Sequence, residues 1–380
     1  MGKIGLREWF GAGRAIASGD LIRSDGPGQY CAGFESRLAA MMGSKHALSV
    51  NSGTSALTAA LAAAGVGPGD EVLVSAYTWI ASAAAPVLVG AVPILVDVDE
   101  SLTMDPGDLE RKITPHTKAI IPVHMINRPC DMGRIMQIAR RHDLLVIEDA
   151  CQAIGVRYGD QYCGAIGDVG TFSFNQYKNM SAGEGGAIIT SDTGLFARAW
   201  NYHDLGVDFR DQHLSYAGAV FVGSNMRSSE IQGAMLDVQL GKLPRRLKRM
   251  RRRYELLFEA LTRAGLPVTP HHDPDNAVSL AVTFETEAEA IAYAGHRGVA
   301  RLFDNSKHVY TNWDAILNKR TFHPRMDPWA WAARPIEYDL DMCAGTLDLL
   351  RRSCRVSLLD QYPLTVVRVL ARALSGRGTR

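Results

Sequence analysis

The sequence predicts an α/β protein: a large domain with a mostly parallel sheet covered by helices, followed by a smaller domain. Three observations carry this. Helical and strand patterns alternate from residue 52 to about residue 149, the order that lays parallel strands together under helices. The strand candidates between the helices are short and apolar, as strands buried in a covered sheet should be. At 380 residues the chain exceeds one minimal core, and 47% hydrophobic residues supply enough apolar material for two domains.

Residues 54–64 are rich in Ala and Leu and stop at Gly65, which predicts a helix closed by a glycine. Gly67-Pro68-Gly69-Asp70 is a turn leading into a strand over 71–75. A helix over 79–89, a strand over 93–97 and a helix over 106–113 follow. Next come a strand over 119–123, a helix over 131–142, and a strand over 144–147 running into Glu148-Asp149. Two further strands are expected over 168–174 and 186–190. Residues 228–263 form one long helical pattern, broken or kinked near Pro244, suited to linking the two domains. Beyond Leu266, Pro, His and aromatic residues accumulate and periodicity fades.

Charge and cysteine usage narrow the function. Lys+Arg at 41 against Asp+Glu at 40 leaves a net charge of +1, so no global field gathers nucleic acid or anionic membrane. The basic run Arg245, Arg246, Lys248, Arg249, Arg251, Arg252 and Arg253 reads either as a solvated helix face or as a nucleotide or nucleic-acid surface. The second reading lacks the interleaved aromatics that base stacking needs. Six scattered cysteines form no CxxC pair, and no His cluster has zinc spacing, so no metal is expected and the thiols read as reduced, in the cytoplasm. The N-terminus lacks a signal-peptide pattern, and the apolar stretch 79–98 is broken by Pro86, Gly90, Pro93 and Asp97, so no membrane span is expected.

Four segments make one constellation. Asn51-Ser52-Gly53-Thr54-Ser55 is a small-residue turn opening a helix, where backbone N–H groups and the helix dipole can cradle a phosphate; alone it is equally an N-cap. Glu148-Asp149 closes a buried strand at the end where open α/β sheets bind ligands, and its carboxylates require a cationic partner such as a protonated pyridine nitrogen. Lys178, after the strand Phe172-Ser173-Phe174 and before Gly183-Glu184-Gly185-Gly186, is either a surface residue or an amine able to form a Schiff base. Trp79, in Ala76-Tyr77-Thr78-Trp79, is a core ring or a ring stacked on a flat cofactor. Together these parts meet the binding requirements of pyridoxal 5′-phosphate.

From about Gly26 to Leu243 the chain resembles the DegT-type sugar aminotransferases, fold-type-I enzymes dependent on pyridoxal phosphate. The matching motifs include Gly33-Phe34-Glu35, Ser52-Gly53-Thr54-Ser55-Ala56-Leu57, Gly67-Pro68-Gly69-Asp70-Glu71-Val72 and Ile121-Pro122-Val123-His124. They continue through Ile147-Glu148-Asp149-Ala150, Gly167-Asp168, Phe172-Ser173-Phe174, Lys178-Asn179, Gly183-Glu184-Gly185-Gly186 and Met226-Arg227-Ser228-Ser229-Glu230. The resemblance implies a seven-stranded, mostly parallel sheet in a cofactor-binding domain over 1–240, with an N-terminal arm, and a smaller α+β domain over 241–380. It implies that Lys178 binds the cofactor covalently and shuttles a proton, that Asp149 pairs with the pyridinium, that Gln152 contacts the ring hydroxyl and that Trp79 stacks on the ring. Gly53, Thr54, Ser55 and Ser173 match the phosphate site. Asn225 matches a residue reaching the neighbouring subunit's phosphate, which implies a homodimer with shared active sites.

The chain departs from the family at Met125-Ile126-Asn127-Arg128, where an aromatic-Gly pair is usual; Asn127 tolerates the left-handed backbone such a turn needs. Arg128 could bind a donor carboxylate or be structural. His308 and Tyr310, in the polar segment 305–313, could bind sugar or cyclitol hydroxyls or simply pack a loop. The expected activity is transfer of an amino group from glutamate or glutamine to a keto-sugar, nucleotide-linked in many relatives, or to a keto-cyclitol, in biosynthesis. The alternatives are a dehydratase, epimerase or decarboxylase using the same cofactor, and a non-catalytic cofactor-binding regulator. Relatives that dehydrate sugars carry His where this chain has Lys178, which favours transamination.

Overall fold

The computed structural model describes residues 4–23, 29–206, 220–358 and 360–376. Its main sheet contains β1 (His46–Val50), β2 (Glu71–Ser75), β3 (Val92–Val96), β4 (Thr117–Ile121) and β5 (Leu145–Asp149). A short hairpin, β6 (Arg157–Tyr158) and β7 (Gln161–Tyr162), precedes the last two sheet strands, β8 (Val169–Ser173) and β9 (Gly186–Thr190). The seven strands run in the order β1-β9-β8-β5-β4-β2-β3. Only β9 is antiparallel to its neighbours, so the carboxyl ends of β1, β2, β5 and β8 share one edge. The family resemblance is right about this sheet.

Up to residue 263 the helices are α1 (Leu6–Ser18), α2 (Tyr30–Met42), α3 (Gly53–Ala63), α4 (Ala81–Leu88), α5 (Pro106–Lys112), α6 (Met132–Arg141), α7 (Thr193–His203) and α8 (Glu230–Arg263). Strand alternation divides the core between the two sheet faces. Leu48, Val50, Val72, Val74, Ile121, Ile147 and Ile188 join the cluster under α3, α4 and α7. Ala47, Phe172, Ala187 and Ile189 face the cluster that includes α2 and α8, and Leu73, Ile120 and Val146 face α6. Consecutive residues of a strand therefore serve opposite faces, a fact that decides the site below.

α8 is one unbroken helix through Pro244, where a break or kink was expected. Ser229 and Gln232 form a capping box at its start. The α1 arm crosses α8, where fully buried Glu8 accepts from Gln239 (2.6 Å) and pairs with Lys242. A second buried pair, Arg23 to Glu35, is bidentate at 3.0 and 2.6 Å, and Glu35 also accepts from the Ser49 backbone and hydroxyl. Breaking such a pair costs about 3–5 kcal/mol because one charge is left buried and unpaired. It ties α2 to the sheet edge.

The basic run on α8 is neither of the two expected surfaces throughout. Arg246 pairs with Asp360 at 2.7 Å, Arg251 donates to the Pro274 and Ala277 carbonyls, and buried Arg253 donates to Tyr362. These three fasten the C-terminal region, while Arg245, Lys248, Arg249 and Arg252 are exposed.

The weakly patterned C-terminal region contains a second sheet, β10 (Leu280–Thr283), β11 (Val299–Arg301) and β12 (Ser353–Val356), antiparallel in the order β10-β12-β11. The chain between β11 and β12 returns to the main sheet. Tyr310 and Trp313 enter the α3–α4 core, Arg334 makes a bidentate pair with buried Glu71, and Thr346 bonds Asp97 and Val98. Among the described residues no helix is long and apolar enough to cross a membrane.

Candidate active site

The acidic pair ending β5 separates by face. Glu148 is fully buried and accepts three backbone N–H bonds, from Gly164 (2.7 Å), Ile166 (2.6 Å) and Gly167 (2.6 Å). It also meets His124 Nε2 at 2.8 Å. His124 Nδ1 accepts from the Cys130 N–H, so Nε2 carries the proton and donates to Glu148. Glu148 is therefore satisfied inside the fold and holds the turn 164–167 against β5.

Asp149 leaves the strand on the opposite face, beside α4. Its Oδ2 accepts from Ser82 Oγ at 2.7 Å, which in turn meets Thr78 Oγ1 at 2.7 Å; Oδ1 accepts from the Cys151 N–H at 3.1 Å. The carboxylate is only 5% exposed, yet it forms no ion pair among the described residues. A buried carboxylate oriented by neutral donors and lacking a cation is prepared to receive one.

The start of α3 lies against the same edge. Ser52 caps the helix by accepting from the Ser55 N–H at 3.1 Å, and Ser55 Oγ donates to Asn51 at 2.6 Å. A Cβ on Gly53 would stand 2.8 Å from Ser173 Cβ and 3.0 Å from Cys151 Sγ. Only glycine fits there, and that close approach brings the helix dipole, the Ser173 hydroxyl and the backbone after Asp149 together. Thr54 and Ser55 occupy the first turn, partly exposed. Burial, then the nearby Asp149 charge, pushes the Cys151 thiol well up, so it is a neutral wall of this cradle.

Lys178 sits in the loop that joins β8 to β9. Phe174 donates to Gly185 (2.8 Å), Gln176 to Gly183 (3.0 Å), and Asn175 Nδ2 to Glu184 (2.7 Å), so the loop folds back as a narrow ribbon. Gly183 (φ +88°) and Gly185 (φ +144°) supply the backbone that this reversal requires. Lys178 is half-buried, and its charge acts on both Cys151 and His308. Its neighbour Asn179 donates to Asn127 at 2.6 Å.

The departure from the family pattern keeps its turn. Ile126 (φ 48°) and Asn127 (φ 63°) both adopt left-handed backbone. That conformation is costly for a β-branched residue, on the order of 1–3 kcal/mol. The Ile126 N–H donates to Gln152 Oε1 at 3.1 Å, which orients the Gln152 amide. Trp79, four residues beyond β2, is 44% exposed, unusually open for so large a ring, and its ring lies 6.0 Å from that of His308. Asn225 is exposed and accepts from the Arg227 N–H.

Two expected substrate residues are committed elsewhere. Arg128 is 2% exposed and donates to the carbonyls of Ser101 (2.8 Å), Thr269 and Pro270, and burial lowers its pKa to about 10. It is a buried structural tie, not a free donor for a carboxylate. Tyr310 is fully buried, donates to the Leu340 carbonyl at 2.6 Å and accepts from Cys343 N–H, so its hydroxyl is also occupied. His308 alone of the three has a ring without a hydrogen-bond partner among the described residues. Sequence reasoning missed Ser82, Thr78 and the His124–Glu148 pair. The first two carry only the spacing signal of one helical turn.

The sequence model of the DegT/DnrJ/EryC1/StrS aminotransferase family matches residues 12–301. Over 246 residues the chain is 42% identical to the GDP-perosamine synthase of Caulobacter vibrioides, covering 64% of this chain and 65% of that one. Over 227 residues it is 42% identical to the L-glutamine:2-deoxy-scyllo-inosose aminotransferase of Streptomyces kanamyceticus, covering 58% and 53%. The matches thus span less than two thirds of these curated relatives. A crystal structure of 3-amino-5-hydroxybenzoic acid synthase superposes with a TM-score of 0.82 at 28% identity, covering 98% of this chain and 96% of that one.

The Gly53 cradle makes a direct prediction. Gly53→Ala should weaken binding of pyridoxal phosphate by at least about tenfold while the far-ultraviolet spectrum is kept. Equilibrium dialysis measures it, and wild-type affinity would rule out a phosphate at this point.

Proposed function

Because the chain belongs to the DegT/DnrJ/EryC1/StrS aminotransferase family, we propose that it moves an amino group from glutamate or glutamine onto a keto-sugar or keto-cyclitol, using pyridoxal 5′-phosphate. The observation that carries this reading is the Asp149 carboxylate, buried, oriented by Ser82 and Cys151, and free of any cation among the described residues. A carboxylate merely ending a strand needs no such arrangement. When bound, the cofactor supplies a carbonyl that exchanges amines and a ring that accepts electrons as a carbon-bound proton leaves.

The chain's own residues divide the remaining work. Asp149 would hold a proton on the ring nitrogen, and Ser82 with the Cys151 N–H fixes the direction of its carboxylate. Gly53, Thr54, Ser55 and Ser173 would hold the phosphate at the start of α3. Gln152, turned by the Ile126 N–H, would contact the ring hydroxyl, and the exposed face of Trp79 would stack on the ring. Lys178 would anchor the cofactor through Nζ and, once released, accept and return the migrating proton. Because Lys178 can do both, transamination is favoured over dehydration.

The relatives suggest the substrate class, since one is named for a perosamine product and the other for glutamine and a cyclitol ketone. We place the enzyme in the cytoplasm, the setting that suits its six unpaired thiols. We also propose a homodimer with shared sites. Leu6, Trp9, Phe10 and Ile16 on α1 are exposed, as are Val222 and Asn225, which suits an apolar contact between copies that also delivers Asn225 to the partner's phosphate.

Two measurements test these points. With Asp149→Asn, absorbance-monitored reaction of the loaded enzyme with glutamate or glutamine should slow by about 10²–10⁴-fold while the cofactor still binds covalently. A near-normal rate would sink the role of Asp149. For the dimer, purified heterodimers of Lys178→Ala and Asn225→Ala chains should regain up to about half of wild-type activity, since one site then holds both intact residues. If Asn225→Ala alone is impaired and heterodimers show no recovery, Asn225 serves its own subunit.

A further inference from the structure

Residues 125–128 form a strained turn just beyond β4. The His124 N–H ahead of it donates to the Asp149 carbonyl at 3.1 Å, so the turn starts beside the residue proposed to face the ring nitrogen. Ile126 (φ 48°) and Asn127 (φ 63°) are both left-handed, a conformation that persists only where the surroundings impose it. Arg128 imposes it from behind through its bonds to the carbonyls of Ser101, Thr269 and Pro270. From this fixed foot the turn reaches in two directions. The Ile126 N–H donates to Gln152 Oε1 at 3.1 Å, and Asn127 Oδ1 accepts from Asn179 Nδ2 at 2.6 Å.

The backbone alone does not account for the second reach. Glycine at position 127 would adopt φ 63° without cost; asparagine meets the same demand and adds an amide. That amide meets the residue next to Lys178, whose buried side chain needs a partner. The base of the lysine loop is closed by its own backbone, with Gln176 donating to Gly183 at 3.0 Å and Ala182 to Phe174 at 3.1 Å. The tip is exposed at Gln176 and Tyr177 and becomes buried at Asn179 and Met180. The Asn127–Asn179 bond therefore joins the tip to a segment 52 residues earlier. A pyridine ring is rigid, and in pyridoxal phosphate the aldehyde lies across the ring from the nitrogen. An amine that bonds to that aldehyde must stand at a set distance from the carboxylate facing the nitrogen, and small displacements are costly.

Resting on the reading of Lys178 as the amine that holds the cofactor, we infer that Asn127 is a positioning residue: its bond to Asn179 latches the lysine loop onto the turn beside Asp149. One strained turn then fixes Gln152 and the Lys178 amine in a common frame. Buried Arg128 is the foot of the latch.

The test separates the latch from the phosphate cradle. In the cofactor-free protein, hydrogen exchange of peptides covering 175–183 should quicken about fivefold in Asn127→Gly and in Asn179→Ala, as expected for one lost hydrogen bond. Asn127→Gly keeps the left-handed backbone, and Asn179→Ala leaves the turn itself untouched. When pyridoxal phosphate is added, Lys178 Nζ condenses with its aldehyde and releases water, a step that absorbance follows. That step should slow about tenfold in each variant. Affinity for pyridoxine 5′-phosphate, which has no aldehyde, should stay at the wild-type value. The double variant should be no slower than the slower single one, because both substitutions break the same bond. Unchanged condensation in the single variants, an equal loss of pyridoxine phosphate binding, or effects that multiply in the double variant would overturn the latch. If exchange quickens as stated but wild type never condenses with pyridoxal phosphate, the latch stands and the aminotransferase reading falls.

Discussion

The site depends on what happens at the last two residues of β5. A strand sends consecutive side chains to opposite faces, so two adjacent carboxylates meet different surroundings without any separation in sequence. Glu148 falls among three backbone N–H groups and the His124 ring and becomes a structural clasp. Asp149 falls beside Ser82 with no cation and becomes the candidate electrostatic anchor. A shift of one residue in register would exchange the two and place the cation-seeking carboxylate in the clasp. The parallel pairing of β5 with β4 and β8 holds that register.

The other parts gather because they lie at the same edge. The glycine at the start of α3 lets the cradle close on Ser173 and Cys151, and the antiparallel β9 turns the chain back so that its glycine-rich approach braces the Lys178 loop. The C-terminal region adds a wall. Its chain between β11 and β12 packs into the main core through Tyr310 and Trp313, which sets the neighbouring His308 against Tyr77 and Trp79. The smaller sheet is thus a separate layer, but the segment it feeds packs into the core of the main sheet.

Much of the large sheet was legible. Strands 71–75 and 186–190 match residue for residue, because each is a short apolar run bounded by glycine or a turn. α1 carries no such signal, because it leaves Leu6, Trp9, Phe10 and Ile16 exposed while burying Glu8; α2 buries Cys31, Phe34, Leu38, Ala39 and Met42 at helical spacing, a stripe interrupted only by the paired Glu35. Pro244 misled in another way. Helix α8 continues through it because a long helix held by packing, by Gln239 and Lys242 on Glu8 before the proline and by Arg251 and Arg253 after it tolerates one missing hydrogen bond. Residue type also named Arg128 and Tyr310 as candidate donors, but which carbonyls a donor meets depends on chain segments far away in sequence, here 101, 269–270 and 340.

The account stands or falls on the amine beside the cradle. The most direct measurement is borohydride reduction of the protein loaded with pyridoxal phosphate, followed by peptide mapping of the fixed adduct. The account predicts that the tag lies on Lys178 and that Lys178→Ala removes it. A tag on another lysine, or none on wild type, would contradict it.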